Sequence, residues 1–333
     1  MLIVMPREEG HFKSYFEFIQ YASTTCTSYV IVKQKKCLFS LKSFLKLLES
    51  TKGHREVLFL HGEIQFLLAI LLRLFKPRKK VKIIFYYGLI DQQSLFKKYF
   101  SNALILTLKT LNVLMFQLEL DPTLFTHLTC RFVTPLKDPY IHTFSKNTGE
   151  DCTIRTPPTR FLVAGFLDSR KCIPQILEAL EQYSDIITPA VPELVLLGEE
   201  SLEIQEYLNT KINDKKVRII SKNYRFDDEE LIYEFNNTDI VMAIYRNHHG
   251  SSGIVINSIA HHKPVLFIPK GILKAFQYQL CISQLPSEAT SSEILKNIVK
   301  LSDSYPSQYS NANRLNFLAG RSPEEFATRL LSQ

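Results

Sequence analysis

The chain has 333 residues, 45% of them hydrophobic and 22% charged, which is typical of a folded globular protein of about two domains. Its net charge of +7 is unevenly distributed, because residues 1–150 contain 21 Lys+Arg against 11 Asp+Glu, whereas residues 151–333 contain 19 against 22. The six cysteines are scattered without a CxxC pair, which indicates neither a zinc knuckle nor a disulfide framework and is typical of a reducing cytoplasm.

The apolar segments of the chain predict neither a secretion signal nor a membrane span. The N-terminal sequence MLIVMPREEG has no basic region and only a very short apolar run, so we expect a first strand there. The longest apolar runs, IQFLLAILLRLF and ALILTLKTLNVLMFQL, are shorter than the roughly 18 residues that a span needs, and each contains a cation. We therefore expect a cytoplasmic protein.

Short apolar strands alternate with helical stretches through the first half of the chain. We predict helices at SLKSFLKLLEST and EIQFLLAILLRLF. Runs of Val, Ile, Leu and Phe between such helices are typical of parallel strands buried on both faces. The predicted strands are LIVM (residues 2–5), SYVIVK (28–33), EVLFLHG (56–62) and VKIIFYY (81–87).

A basic cluster, KPRKKVK, directly follows the apolar sequence LLAILLRLF. Cations beside an apolar helix can hold a protein on anionic lipid headgroups, so one interpretation is a membrane-peripheral protein. The other is a solvated loop between a helix and a strand. No aromatic residues are interleaved with the cations, so we expect no nucleic-acid binding. The cations of the cluster are Lys76, Arg78, Lys79, Lys80 and Lys82.

The alternation starts again after the turn-rich segment at residues 145–158. Strand-helix alternation predicts an α/β fold with two Rossmann-like domains, residues 1–150 and 151–333. Three helical stretches close the chain, from Ser291, Pro306 and Pro323 onward, and the last of them could pack back on the first domain. The strands predicted in the second half are at residues 160–166, 193–198, 217–221, 239–245 and 264–269.

Several familiar chemistries lack their motifs in this sequence. It contains no G-x-G-x-x-G, no P-loop, no H-E-x-x-H and no G-x-S-x-G. Adjacent histidines at 248/249 and 261/262 point to different faces of a helix or strand, so we predict no metal site. The acidic FDDEEL at residues 226–231 is typical of the first turn of a helix.

The second half carries, in order, FLVAGFLDSRKCIPQILEAL, LVLLGEE, VRIIS, DEELIYEFNNTDIVMAIY and GSSGIVINSIAHHKPVLFIPKG. In order and spacing these segments resemble the donor-nucleotide domain of GT-B glycosyltransferases, most closely the retaining family 4. The resemblance implies two Rossmann-like domains facing across a cleft, with no cofactor and no required metal. Over the first half it rests on the strand-helix alternation and on REEGHFKSYFEFI.

The resemblance assigns donor binding to two segments of the second domain. A Gly/Ser turn that opens a helix offers backbone N–H groups and the helix dipole to a diphosphate, which assigns Ser251, Ser252 and Gly253 to the donor phosphates. Without a ligand, a serine there is an ordinary helix cap. Lys171, in the loop that begins at Gly165, matches the lysine that reaches the donor diphosphate.

Four positions depart from the family pattern, one of them Cys172, where the family has a glycine after the lysine. The family's arginine after the glycine is Phe166 here, and Arg170 could replace its charge. Aligned on KPV, the two family glutamates fall at His249 and Asn257. Asn257 can hydrogen-bond a ribose hydroxyl. His249 either binds near the transferred sugar or faces solvent.

The acceptor side is assigned to the first domain. Gly10 and His11 follow the first strand, where glycine allows the loop to approach the donor sugar. Family members often carry a histidine after a later strand; Tyr87 lies near that position and His61 one strand earlier. With His249, these two are the catalytic candidates, and an ordinary buried histidine is the alternative at His61.

The resemblance implies a glycosyltransferase that moves a sugar from a nucleotide-diphosphate sugar to a saccharide or lipid-linked acceptor, with retention, in polysaccharide or glycoconjugate assembly. Two alternatives remain open. One is a GT-B-like sugar-nucleotide epimerase, which would consume the donor without an acceptor. The other is a non-catalytic binding protein with the GT-B fold.

Overall fold

The protein divides into two compact units. The first comprises Met1–Pro139, His249–Ser251 and Gly320–Gln333, and the second comprises Tyr140–His248 and Ser252–Ala319. The predicted domain boundary at residue 150 lies outside the described residues and stays a prediction. The computed structural model describes residues 1–7, 11–23, 27–32, 40–86, 95–120, 131–141, 157–187, 190–211, 216–248, 250–279, 282–286 and 288–333.

The described part of the first unit contains one parallel sheet. Its strands are β1 (Leu2–Met5), β2 (Ser28–Ile31), β3 (Glu56–Phe59), β4 (Lys80–Phe85), β5 (Leu114–Leu118) and β6 (Val133–Leu136). They pair in the order β2-β1-β3-β4-β5-β6. The first four strands confirm the sequence-based prediction, whereas β5 and β6 were not predicted.

Helices follow the strands of this sheet and cover its two faces, as parallel pairing requires. Helix α2 begins after Ser40, whose side chain accepts a hydrogen bond from the Ser43 N–H, and it buries Phe44 and Leu47 against the sheet. The helices here are α1 (His11–Ala22), α2 (Leu41–Ser50), α3 (Gly62–Phe75) and α4 (Leu95–Thr110).

The second unit repeats the architecture. Its described strands are β7 (Arg160–Ala164), β8 (Glu193–Leu197), β9 (Arg218–Lys222), β10 (Ile240–Ala243), β11 (Val265–Phe267) and β12 (Ser283–Gln284). They form a parallel sheet in the order β12-β11-β10-β7-β8-β9. The five strands predicted in this half are confirmed, and the predicted α/β fold is therefore correct in both units.

The remaining helices are α5 (Ile173–Ile186), α6 (Leu202–Lys211), α7 (Asp228–Asn237), α8 (Gly253–Ala260), α9 (Ser291–Gln308), α10 (Asn311–Leu318) and α11 (Pro323–Leu331). The predicted acidic first turn is that of α7, where Asp227 caps the helix by accepting from the Glu230 N–H. The predicted helix start at Pro306 was wrong, because α9 continues through that residue and the next helix begins after Ser310.

Helix α11 packs against α1 within the first unit. The rings of Tyr15 and Phe326 lie 4.7 Å apart, and the Lys82 ammonium donates to the Leu330 carbonyl at 2.6 Å. Arg321 precedes α11 and forms a buried bidentate ion pair with Glu119. Helix α11 thus forms part of the hydrophobic core of the first unit.

Much of the basic cluster is built into the first unit. The Lys82 side chain is fully buried and also pairs with Glu56 at 3.0 Å, so its prediction as a surface cation was wrong. Lys80 pairs with the same carboxylate at 3.1 Å, and Lys79 donates to the Thr51 and His54 carbonyls. Lys76 and Arg78 are exposed.

Each sheet has a point where the strand order reverses. In the first sheet it lies between β1 and β3, and in the second between β7 and β10. Consecutive connections leave such a point in opposite directions, which opens a crevice beyond the carboxyl ends of the two strands. In open α/β sheets, ligands bind in that crevice, and the chain segments there define the candidate site.

Candidate functional site

Two glycines shape the loops after β7 and β8. Gly165 and Gly198 have φ angles of 101° and 134°, which L side chains rarely adopt. A Cβ on Gly198 would collide with the Gly165 carbonyl, and a Cβ on Gly165 would lie 3.1 Å from the Lys171 Nζ. The two loops can therefore approach one another and the lysine only because both residues are glycine.

Lys171 lies in the reversal crevice of the second sheet. A 3₁₀ turn at Ser169–Lys171, capped by Asp168, and a left-handed residue at Cys172 (φ 53°) direct the lysine back toward the end of β7. Its Nζ donates to the Ala164 carbonyl at 2.7 Å and lies 4.0 Å from the centroid of the Tyr245 ring, which follows β10. This ammonium therefore bridges the two strands at which the sheet order reverses.

The Lys171 cation is buried without a neutralising acid. Its side chain is 9% exposed, and in the described part of the chain no carboxylate pairs with it. Burial, and to a smaller extent the neighbouring Arg170, lowers the pKa of Lys171 from its usual 10.5 to about 7, while Asp168 acts in the opposite direction. A carbonyl and an aromatic face stabilise an ammonium less than a carboxylate does. The site is thus arranged to gain from a bound anion.

The N-terminus of α8 adjoins the same aromatic residue. The Ser252 hydroxyl caps the helix by accepting from the Val255 N–H at 3.4 Å. Burial raises the pKa of Tyr245 to about 12, and its hydrogen bond to Ser252 opposes the shift. Tyr245 therefore contacts Lys171 through its ring and the cap of α8 through its hydroxyl. The helix dipole and the ammonium together favour a negative charge near this residue.

Ser251 and Asn257 have partners within their own units. In the first unit, the Ser251 hydroxyl donates to Asp138 at 2.5 Å. In the second unit, the Asn257 amide donates to the Gly253 carbonyl at 2.8 Å and accepts from the Ile141 N–H at 2.6 Å. A ribose or phosphate at either side chain would have to share or replace these bonds. Their assignment to the donor stays a prediction.

Arg170 and Phe166 lie at the rim of this loop. The Arg170 guanidinium is half exposed and pairs with Asp168 at 2.8 Å, and its carbonyl accepts from the Arg246 N–H. Phe166 is 53% exposed. Arg170 is therefore tethered within its own loop, and its role in replacing the family arginine stays a prediction.

In the first unit, His61 lies at the end of β3, beside the reversal point of its sheet. Its Nδ1 is 3.3 Å from a carboxylate oxygen of Glu63, and its ring packs 5.3 Å from that of Tyr86 and 5.7 Å from that of Phe12. The next residue is glycine by necessity, since a Cβ on Gly62 would collide with the ring of Phe85. The imidazole thus lies beside a carboxylate and between two aromatic rings at a mostly buried position.

The other predicted residues of the acceptor side are described in part. His11 begins α1. Gly10, Tyr87 and His249 lie outside the described residues, so their assignments stay predictions. Among the residues that the structure describes, no group of three or more His, Cys, Asp and Glu side chains could hold a metal ion. No helix in those ranges has the length and apolar character to cross a membrane.

Solved structures resemble the chain over almost all of its length. A glycosyltransferase from Rickettsia africae has a TM-score of 0.68 and 13% identity, covering 99% of this chain and 96% of that one. The Anabaena protein HepE in complex with UDP has a TM-score of 0.67 and 12% identity, with coverage of 99% and 98%. Sucrose-phosphate synthase from Thermosynechococcus elongatus has a TM-score of 0.66 and 11% identity, with coverage of 99% and 97%.

The chain has the GT-B fold. No protein-family model matches it, and no curated protein matches it in sequence. At this level of identity the structural likeness concerns the GT-B fold alone. The individual residues of the site are therefore judged by their own geometry.

Sequence reasoning missed two residues of the lysine site. Tyr245 ends the segment DIVMAIY, and its place at the carboxyl end of a predicted strand was the available signal. Gly198 ends LVLLG in the same way, next to the strand that leads to Gly165. Lys171, Gly165 and Ser252 were predicted, and the structure places all three in this part of the second unit.

Proposed function

We propose that this chain is a glycosyltransferase that moves a sugar from a nucleotide-diphosphate sugar to a saccharide or lipid-linked acceptor. Its GT-B fold supports the proposal, because the similar structures include proteins described as a glycosyltransferase and a sucrose-phosphate synthase. HepE has been solved with UDP, with UDP and glucose, and with UDP-glucose. A uridine nucleotide is accordingly the first donor to test.

The observation that carries the proposal is the buried, unneutralised ammonium of Lys171. Folding removes this cation from water, and no carboxylate of the described residues pairs with it. The loss of hydration lowers its pKa to about 7. A diphosphate would supply the missing negative charge. If Lys171 served packing alone, an apolar side chain of similar volume would stabilise the folded protein more than the lysine does.

In the proposed reaction, Lys171 and the N-terminus of α8 stabilise the negative charge that develops on the leaving nucleoside diphosphate as the glycosidic bond breaks. Fixed donors aimed at a developing charge need no reorganisation during the reaction. Transfer therefore needs no divalent metal in this proposal. The proposal also includes retention of configuration at the transferred sugar and a role in polysaccharide or glycoconjugate assembly.

On the acceptor side, we assign a catalytic role to His61, which lies beside Glu63. An imidazole beside a carboxylate can accept a proton from a sugar hydroxyl or hydrogen-bond the transferred sugar. Gly10, His11, Tyr87 and His249 remain candidates for neighbouring contacts.

A second candidate function is a nucleotide-binding protein without transfer activity. The observation that favours it is Asn257, which stands where the resembled family has a glutamate. Its side-chain amide already hydrogen-bonds Gly253 and Ile141. Such a protein would bind a nucleotide at Lys171 and turn over no donor. An epimerase would instead release an isomeric sugar without an acceptor.

The test begins with the purified protein and UDP, GDP, ADP, CMP and dTDP, each with and without magnesium, in a thermal-shift screen. We expect one nucleotide to raise the melting temperature to the same extent in both conditions. The matching nucleotide-sugar is then incubated alone and with saccharide acceptors, and products are separated by mass. A glycosylated acceptor supports the transferase, an isomerised sugar supports the epimerase, and binding without turnover supports the second candidate. No thermal shift with any nucleotide would contradict all three.

A further inference from the structure

An exposed apolar surface of the first unit is formed by α2 and α3. Leu41 and Leu45, one turn apart on α2, are 72% and 56% exposed, and Leu74 and Phe75 at the end of α3 are 60% and 61% exposed. The ring of Phe75 lies 5.6 Å from that of Phe44 on α2, which joins the two helices. We call Leu41, Leu45, Leu74 and Phe75 the α2–α3 patch.

The outer face of α3 is apolar along its length. Its sequence, GEIQFLLAILLRLF, contains two charged residues, and one of them, Arg73, donates to the carbonyls of Leu111 and Lys79. Leu67 and Leu74 are exposed two turns apart on the same face. A surface helix normally carries polar residues there, and a contiguous apolar patch marks an interaction surface where a single exposed leucine would not.

Cations border this patch. Lys42 and Lys46 follow its two α2 leucines by one residue each, and Lys76 and Arg78 follow Phe75; all four are exposed. The nearby acid of α2, Glu49, lies 3.8 Å from the ammonium of Lys52. Lys79, Lys80 and Lys82, in contrast, are held by carbonyls or by Glu56 and add little to this border.

We propose that the α2–α3 patch docks on the anionic surface of a lipid bilayer. The leucines and Phe75 would enter the boundary between headgroups and acyl chains, and the four cations would lie among the phosphates. A second copy of the chain fits the patch poorly, since a two-fold contact would bring the same cations together. An extended anionic surface with an apolar interior complements both features.

The apolar part of the proposal is tested with the triple variant Leu41→Gln, Leu45→Gln, Leu74→Gln. The wild type should sediment with vesicles of phosphatidylcholine mixed with phosphatidylglycerol and should stay in solution with phosphatidylcholine alone. The triple variant should bind the mixed vesicles at least about tenfold more weakly. The matched control, Leu202→Gln with Leu315→Gln, changes leucines that are 77% and 54% exposed in the second unit and should bind like the wild type.

The charged part is tested with Lys76→Gln, Arg78→Gln, which leaves every described internal contact of the cluster in place. Vesicle affinity should fall about tenfold or more, whereas Lys296→Gln, Lys300→Gln, two exposed lysines of the second unit, should leave it unchanged. Melting temperatures confirm that the variants fold.

The proposal is overturned if the wild type does not bind anionic vesicles, or if either patch variant binds them as well as its control. It is also overturned if the triple variant only converts a wild-type dimer into a monomer. Neither vesicle-binding experiment measures sugar transfer, so the two results are independent of the proposed enzymatic activity.

Discussion

Lys171 and Lys82 are both buried lysines, but their surroundings differ. Lys82 pairs with Glu56, whereas Lys171 contacts a carbonyl and an aromatic ring. We expect Lys171→Met to raise the melting temperature at neutral pH, because it removes a buried cation that no carboxylate of the described residues pairs with. The same variant should lose most of its nucleotide affinity. Lys82→Met, the matched control, should lower the melting temperature because it breaks the ion pair and leaves the Leu330 carbonyl without its donor.

The stabilisation by Lys171→Met should depend on pH. The pKa of Lys171 is lowered from 10.5 to about 7, so below pH 7 the side chain is charged in both the folded and unfolded states and the burial cost is fully present. Between these two values the folded protein loses the proton first, and the wild type recovers stability. Thermal melts of both proteins across this range should therefore converge as the pH rises. A constant difference would contradict the assigned pKa.

Nucleotide binding should take up a proton. At about pH 8 the free Lys171 is mostly neutral, because its pKa is about 7, and a diphosphate beside Nζ would favour the ammonium. Calorimetric titration of UDP in buffers with different ionisation enthalpies should give an uptake approaching one proton, and Lys171→Met should give none. Tight binding without uptake would place the diphosphate elsewhere.

The individual residues of the site were predictable where their chemistry is local. Lys171 and Ser252 were assigned through the resemblance to a GT-B donor domain, because a lysine after a glycine loop and a Gly/Ser turn before a helix can be recognised in the linear sequence; their role in donor binding stays a prediction. Tyr245 was missed because its role depends on the reversal of strand order, which brings the ends of β7 and β10 together. Linear spacing carries no such information.

At the scale of elements, the caps of α8 and α10 form a matched pair. Ser252 accepts from the Val255 N–H at 3.4 Å, and Ser310 accepts from the Asn313 N–H at 3.4 Å. Ser252→Ala and Ser310→Ala should each lower the free energy of unfolding by about 1 kcal/mol, measured by urea denaturation. Only Ser252→Ala should also weaken nucleotide binding. Equal nucleotide affinity in the two variants would show that the N-terminus of α8 lies outside the site.

The two strands of the first sheet that were not predicted, β5 and β6, were missed for physical reasons. Strand β5 was hidden in one long apolar run with α4, and the separating signal was Asn112, which takes a left-handed φ of 58° between them. Strand β6 contains Pro135, which removes a backbone donor and is tolerated because β6 lies at the sheet edge. Strands buried on both faces, such as β1 and β10, were found because every residue in them is apolar.

At the scale of the molecule, the first unit depends on an ion pair between distant parts of the sequence. Arg321 and Glu119 are each nearly inaccessible, and the same carboxylate accepts from the Asp138 N–H at 2.7 Å. Arg321→Met should cost about 3 to 5 kcal/mol of unfolding free energy, because a buried carboxylate loses its cation. Adding Glu119→Gln should recover part of this loss, since no charge then remains.

The control for this ion pair is Arg218→Met. Arg218 pairs with Glu193 at 2.8 Å, but its side chain is 69% exposed, so the change should cost less than about 1 kcal/mol. Urea denaturation of the four proteins measures all three differences. A cost for Arg321→Met as small as that of Arg218→Met would show that the buried pair contributes little.

The dependence of the first unit on Gly320–Gln333 also concerns the order in which the protein is made. The six described strands of the first sheet are synthesised by Leu136, yet Tyr15 and Lys82 can contact Phe326 and Leu330 only after those two late residues have also been synthesised. The second unit, whose residues end at Ala319, can complete its core earlier. A released chain truncated after Ala319 should therefore have a protease-resistant later half and an earlier half whose α1 surface is open to chaperones.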